Sequence, residues 1–340
     1  MPTKVPAFFL GQAGTPAKIL GGSASYRGVM ARRLRYIPPG GALVEITTRT
    51  IQRRFLLRPD RELNHSVVGT LARAQRKYPL KLCAVAVLSN HYHLLLWVED
   101  AQLLARFMGY LNAKLAKEVH RLHGWSERIW SQRYHAVVVA DDERTQLQRL
   151  RYLLAQGTKE DLVASPYDWP GVHCAKALAR GRPLKGWWFD RTREGRARRR
   201  GEDPDPYRHA TPETLHLEPL PCWRHLPPKE YRRRVAELIE TIVEDAAADR
   251  RRRGASVLGA RAVRRQDPYA RPERAERSPA PDFHARGENL QQLRRAYAQF
   301  VADFRRAAEC LRAGILDVLF PEGSFPPAQP FVRAAPVRAP

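Results

Sequence analysis

From residue 42 onward the spacing of apolar positions switches between the two-residue period of a strand and the 3.6-residue period of a helix. The stretch ALVEITTRT, beginning at Ala42, reads as a strand, and Asp60 to Lys77 repeats Leu63, Val67, Val68, Leu71 and Ala74 at helical spacing. KLCAVAVL reads as a buried strand and HYHLLLWVE as another, with only Ser89 and Asn90 between them. A long helix runs from Asp100 to about Leu122 and is closed by Gly124. IWSQRYHAVVVA gives a fourth strand, and Asp141 or Asp142 caps a helix that continues through LQRLRYLLAQ to Gly157. The order strand, helix, strand, strand, helix, strand, helix predicts an α+β fold. Its antiparallel sheet carries helices on one face, as in ferredoxin-like or RNA-recognition-like domains.

The flanks have a different pattern. Residues 1–41 are rich in Pro, Gly and Arg and read as a mobile basic arm, which leaves 42–188 as the folded domain. Residues 189–227 include RTREGRARRRGEDPDPY, which is nearly devoid of apolar positions and reads as a charged linker. A basic, mainly helical extension follows over 228–320. It holds amphipathic helices from Pro228 to about Arg253 and from Glu288 to about Ala313, separated by RRQDPYARPERAERSPAPD. Residues 321–340 read as a disordered tail.

Charge narrows the partner. Lys and Arg outnumber Asp and Glu by 59 to 35 in 340 residues, a net charge of +24 that points to a polyanion, with nucleic acid the first candidate. Cys83, Cys174, Cys222 and Cys310 are far apart and lack C-x-x-C spacing, which argues against a disulfide framework or a zinc knuckle. No segment approaches about 20 uninterrupted apolar residues, so no membrane partner is expected, and the chain reads as cytoplasmic and nucleoid-associated.

Candidate chemistry lies in two places. Alternation along a strand puts His91 and His93 on one face, about 6–7 Å apart, where two imidazoles can share an ion. A lone H-x-H is equally the pattern of packed or surface histidines. On the last helix Leu147, Leu150, Leu153 and Leu154 form one stripe that should pack on the sheet. Tyr152 falls nearly opposite that stripe, between Gln148 and Gln156, where an ordinary surface tyrosine and a displayed reactive one both fit.

Together these pieces resemble a known family. SNHYHLLL resembles the N-H-U-H-L-L segment of the HUH endonucleases, where U is a bulky residue, and RYLLAQ resembles the Y-x-x-x-Q helix of their single-tyrosine transposases, including the REP-associated ones. The RYH segment at Arg133 to His135 and the order of elements fit as well, and the resemblance covers about Ala42 to Trp169. Two stretches depart from the pattern. After the tyrosine the chain reads YLLAQGTKEDLV, where REP-associated members usually continue with a Tyr-Ile-His-Leu-Asn-Pro-Val type of sequence, and the first strand ends in TTRT instead of a Ser-Arg-Gly-Asn stretch.

The resemblance implies that His91, His93 and Gln156 hold a divalent metal and that Tyr152 is the nucleophile. Two imidazoles alone would favour zinc or a softer ion, whereas the resemblance implies Mg²⁺ or Mn²⁺. A free tyrosine hydroxyl has a pKa near 10, so it needs help to act at neutral pH. The expected reaction joins the 5′-phosphate to Tyr152 and releases a 3′-hydroxyl, for DNA transposition or repeat mobilisation. The expected substrate is single-stranded, hairpin-forming DNA, bound by one chain or a homodimer. Arg49, Arg53, Arg54, Lys114 and Arg133 are candidate DNA backbone contacts, with Arg198 to Arg200 and Arg250 to Arg253 adding sequence-independent affinity. Tyr134 is a rival nucleophile, without a paired glutamine on a helix. Two other readings share these residues: a domesticated binder that no longer cuts, and a rolling-circle initiator or relaxase. A P-loop, which helicase-bearing initiators would carry, is absent from the sequence.

Overall fold

Four strands form the central sheet of the computed structural model, which describes residues 33–202, 205–272 and 281–327. They are β1 (Ala42–Arg49), β2 (Lys81–Val87), β3 (His91–Val98) and β4 (His135–Val139), antiparallel in the order β2-β3-β1-β4. In β1 the alternation turns Glu45, Thr47 and Arg49 to the face that also carries Leu95, His93 and His91, their partners in register. Thr48 and its partner Tyr92 face the other way.

Helix α1 (Arg61–Lys77) starts where the Asp60 carboxylate accepts from the Glu62 amide at 2.8 Å, and α2 (Ala101–His123) where Asp100 accepts from the Gln102 amide at 2.7 Å. Both cover the Tyr92 face. The Tyr92 hydroxyl donates to Asn112 of α2 at 2.6 Å, and Ser66 of α1 donates to Glu118 of α2. Helix α3 (Glu143–Leu154), capped by Asp142, lies on the histidine face. The α+β fold and antiparallel sheet expected from the sequence are present, but the helices are not confined to one face as expected: α1 and α2 cover the Tyr92 face and α3 the histidine face, where Tyr152 meets His93.

Two local expectations shift. The fourth strand covers only His135–Val139, because Ile129 to Ser131 turn across the end of β1 instead of extending β4. There the Ile129 carbonyl accepts from Ile51 at 2.6 Å, Trp130 bridges Thr50, and the Trp130 indole donates to the Asn112 carbonyl at 3.0 Å. Helix α3 ends at Leu154, three residues before Gly157. Gly157 has φ +83°, and a Cβ there would lie 2.8 Å from the Trp169 ring.

Both edges of the sheet are covered. On the β2 side Val87 donates to the Val172 carbonyl and Cys174 to that of Val85, each at 2.9 Å, and Ala86 bridges His173. On the β4 side His284 donates to Val138 at 2.9 Å and accepts from Ala140 at 2.8 Å.

The expected charged linker is folded. β5 (Leu184–Phe189) pairs with β6 (Ala210–Leu215), so residue 188 falls inside a hairpin and is not a boundary. Between them α5 (Arg191–Arg199) begins with Arg191, which reaches Glu118 at 2.9 Å, Glu194 at 2.7 Å and Glu62 at 3.2 Å. Arg73 and Arg76 both meet the buried Glu213 of β6, at 3.1 and 2.9 Å. Low apolar content did not mean that every charge is solvated: Arg191 pairs with carboxylates on α1 and α2, and Glu213 of β6 with arginines of α1.

The hairpin sits so close to α1 that two glycines face each other. A Cβ on Gly69 would lie 2.2 Å from the Trp187 carbonyl carbon, and one on Gly186 would lie 2.7 Å from the Gly69 nitrogen. Backbone cannot yield as a flexible side chain can, so Gly69→Ala should destabilise the chain by about 2 kcal/mol or more. Urea unfolding should show the loss as a lower midpoint at an unchanged slope.

The two long extension helices occur almost where expected, α6 at Pro228–Arg253 and α8 at Gly287–Arg312; short helices α4 (Ala175–Arg180) and α7 (Ala260–Arg265) add to them. Tyr297 and Phe300 of α8 pack on Tyr36, with ring centres 5.9 and 5.1 Å apart, so part of the expected N-terminal arm is held in the fold. Residues 1–32 of that arm lie outside the described residues. Of the expected disordered tail, residues 321–327 are described and Ser324 is buried, its carbonyl accepting from Gln102 at 3.2 Å; the remainder lies outside the described residues. No described helix is long and apolar enough to cross a membrane.

His173, beside β2, is buried, and its Nδ1 accepts from the Ala175 amide at 3.1 Å. Burial lowers its pKa to about 4, against a smaller opposing effect of the Leu153 and Leu154 carbonyls. The unfolded chain takes up this proton near pH 6.5, whereas the folded chain resists it down to about 4. This ring therefore withdraws about 3 kcal/mol of stability as pH falls through that window, and nothing above it. His173→Asn should flatten the acid side of the stability profile over the same interval, measured by urea unfolding at a series of pH values.

Candidate active site

His91 and His93 stand on the α3 side of β3 with ring centres 5.1 Å apart and planes at 81°. The Nδ1 of His91 is 2.6 Å from the Asn90 side-chain oxygen. The Nδ1 of His93 is 3.1 Å from both Glu45 Oε1 and Thr47 Oγ1. With Nδ1 of each ring occupied, Nε2 is the nitrogen left to coordinate an ion. His91 is held well below its ordinary pKa, chiefly by burial and then by the charges of His93 and Arg49, with a bond to Gln156 opposing. It is neutral near pH 7, the form that binds metals.

Helix α3 brings the tyrosine. The Tyr152 ring lies 5.6 Å from that of His93 at 80°, edge to face, and the residue is 37% exposed. The Arg149 guanidinium sits 4.2 Å and the Lys159 ammonium 3.7 Å from the centre of the same ring. Gln156 is buried, and its Nε2 donates to the Tyr152 carbonyl at 3.1 Å, so its Oε1 is the acceptor. The helix is not amphipathic in the simple sense expected. Leu150, Leu153 and Leu154 are buried, but so are Thr145, Gln146 and Gln156: Gln146 lies with the leucines and bonds Asp141 and the Cys222 amide, whereas Tyr152 and Gln156 meet the histidines.

The sequence reading passed over Glu45. Its carboxylate is buried in the middle of β1 and meets Arg149 Nε at 2.7 Å and His284 Nε2 at 2.9 Å, both through Oε2, in addition to His93. Burial pushes its pKa up, but the bonds from His284 and His93 and the charge of Arg149 outweigh it and hold the carboxyl well below its usual range. A visible signal existed: one carboxylate in the otherwise uncharged stretch from Ala42 to Thr48. His284, from the extension, had none.

Among the described residues no group of three or more His, Cys, Asp and Glu is arranged to hold a metal ion. A metal here needs the Gln156 amide as well as the two imidazoles. Two imidazoles and one amide oxygen form a donor set suited to a divalent ion that keeps positions open for water or phosphate oxygen.

Residues 42–154 match the family model of the IS200-like transposases. This segment carries the IS200-like transposase pattern. It spans β1 to the end of α3, and so contains His91, His93 and Tyr152, while Gln156 and Glu45's partner His284 lie beyond its C-terminal limit. Among solved structures the chain is similar to a REP-associated tyrosine transposase bound to a REP hairpin, at 21% identity over 45% of this chain and 87% of that one, with a TM-score of 0.35. It is also similar to a transposase candidate from Deinococcus radiodurans R1, at 20% identity over 36% of this chain and 95% of that one, with a TM-score of 0.26. No curated protein matches.

The five expected DNA contacts divide around this IS200-like segment. Arg49 faces the site beside His91, and its charge is felt by Tyr152, Arg53 and His135. The charges of Arg49 and Arg133 both act on His135, and Arg53 on Arg49, so the three lie close enough to make one basic cluster. Arg54 is occupied elsewhere: it donates to the Tyr269 carbonyl and lies 5.4 Å from the Trp125 ring. Lys114 is on α2, on the opposite face of the sheet, within 6.0 Å of the Trp188 ring centre. Tyr134 also faces away from the histidines, under Arg35 at 4.3 Å, and burial pushes its pKa up to about 12. Neither Lys114 nor Tyr134 is brought to the site. Most of the distal arginines are paired: Arg198 with Glu194, Arg200 with Glu202, Arg250 and Arg253 with Asp161, and Arg252 with Asp249. Pairing of this kind discounts the salt-dependent affinity expected from them.

Proposed function

We propose that this chain is a transposase-type endonuclease and strand transferase of single-stranded, hairpin-forming DNA. It would act at the chromosome in the cytoplasm, through a 5′-phosphotyrosine at Tyr152. The observation that carries the reading is the approach of the Tyr152 ring to His93 from helix α3, with buried Gln156 in the turn that follows. The Tyr152 oxygen attacks phosphorus as its proton leaves to solvent; the oxygen–phosphorus bond forms, the bond to the 3′-oxygen breaks, and that oxygen takes up a proton. The DNA phosphate stays esterified, ready for attack by a second 3′-hydroxyl.

His91, His93 and Gln156 would hold Mg²⁺ or Mn²⁺, whose chemistry is to draw negative charge from the nonbridging phosphate oxygens. Arg149 and Lys159 flank the tyrosine ring and meet the charge of the arriving phosphate. Arg49, Arg53 and Arg133, as one basic cluster, guide the strand.

The test is a pool of labelled hairpin-bearing single strands incubated with the full chain and Mn²⁺ or Mg²⁺. A denaturation-resistant adduct whose attached residue maps to Tyr152 by mass spectrometry is the expected result. Binding without an adduct on every strand tested would favour a non-cutting DNA binder.

A further inference from the structure

The Glu45 carboxylate gathers three elements that are distant in sequence. His93 of β3 meets Oε1, while Arg149 of α3 and His284 of the extension both meet Oε2. The same glutamate therefore touches His93 and the residue stacked on the Tyr152 ring.

How His284 reaches it is equally specific. The backbone around His284 bonds in parallel to the free edge of β4, through Val138 and Ala140. Side chains alternate along such a segment. Phe283 therefore turns outward, is buried, and packs against Tyr297 of α8 at 6.1 Å, while His284 turns to the face that carries His93. One residue anchors the extension and its neighbour enters the site.

We propose that His284 is a positioning residue of the active site. By donating to Glu45 Oε2 it holds the carboxylate in the orientation in which Oε1 fixes the His93 ring, Nδ1–H toward Glu45 and the Nε2 lone pair toward the ion and phosphate. The C-terminal extension is then a working part of the site. This rests on the catalytic reading above. A buried carboxylate needs all its acceptor positions satisfied, and without His284 one lone pair of Oε2 faces no donor. Glu45 is then free to turn toward Arg149, and His93 loses the partner that selects its tautomer. Removal of such outer partners costs metal affinity and activity by about 10–100-fold each.

The experiment uses the full chain carrying His284→Ala or His284→Gln, the glutamine amide being able to donate where Nε2 does. Side-chain ¹H–¹⁵N spectra of the metal-free proteins report the His93 tautomer directly. The wild type should show Nδ1–H, His284→Ala a mixture, and His284→Gln a return to the wild-type pattern. Mn²⁺ binding, read by the electron paramagnetic resonance of the free ion, should weaken about 10–100-fold in His284→Ala and recover to within a few-fold in His284→Gln, with adduct yield following. An unchanged His93 tautomer and Mn²⁺ affinity in His284→Ala, or a glutamine variant that folds and fails to restore both, overturns the proposal. The dependence of the tautomer on His284 in a wild type that forms no adduct on any hairpin would keep this coupling and reject the catalytic reading.

Discussion

Tyr152→Phe will form no covalent DNA adduct while binding single-stranded hairpins within a few-fold of wild type. The substitution removes one oxygen and leaves the ring in its edge contact with His93 and under Arg149 and Lys159. The hydroxyl is the only atom asked to make a bond, so its loss should lower adduct yield below detection, at least about a thousandfold. Tyr134 offers no bypass, because it stands on the other face of the sheet beside Arg35. Adduct formation by Tyr152→Phe, or an adduct mapped to Tyr134 in the wild type, would defeat the assignment of the nucleophile. Gel-shift titration and denaturing electrophoresis on the same samples separate the two effects.

His91→Ala and His93→Ala will fail in a different way. Each removes a candidate metal ligand, so Mn²⁺ binding and cleavage should fall together, by about two orders of magnitude or more, with little rescue by excess ion. The phenylalanine variant, by contrast, should titrate Mn²⁺ like the wild type. His93→Ala should also cost stability, because it leaves the buried Glu45 carboxylate with one partner fewer, whereas the less buried His91 should cost less. Calorimetric Mn²⁺ titration alongside adduct assays checks both statements. An alanine variant that loses cleavage while retaining full metal affinity would mean that the histidines act on DNA directly.

How far the sequence revealed this arrangement follows from the range of the forces involved. Strand alternation and capping are local, so β1 to β3, the core of β4, the helix starts at Asp60, Asp100 and Asp141 or Asp142 and the shared face of His91 and His93 were readable. The position of α3 was harder. A helical wheel gives the leucine stripe but not that Gln146 and Gln156 are also buried, because that depends on what lies across the gap. The folded hairpin and α5 escaped notice because their stability comes from partners far away in sequence, such as Glu118 for Arg191 and Glu213 for Arg73. Arg54 and Lys114 looked equivalent to Arg49 as charges, and only the tertiary course of the chain separates them. Glu45 could have been flagged as a lone carboxylate in a buried strand, but its partner His284 could not.

The covered β4 edge has a consequence for synthesis. β1 is made long before the segment that lines β4 and supplies His284 to Glu45. On the ribosome the sheet can close and α3 can dock while that edge stays bare and one lone pair of a buried carboxylate oxygen faces no donor. A chain stalled before residue 281 would thus expose a pairing edge and an unfinished centre, a form prone to sticking to its neighbours. Synthesis of the segment around His284 and maturation of the site are the same event.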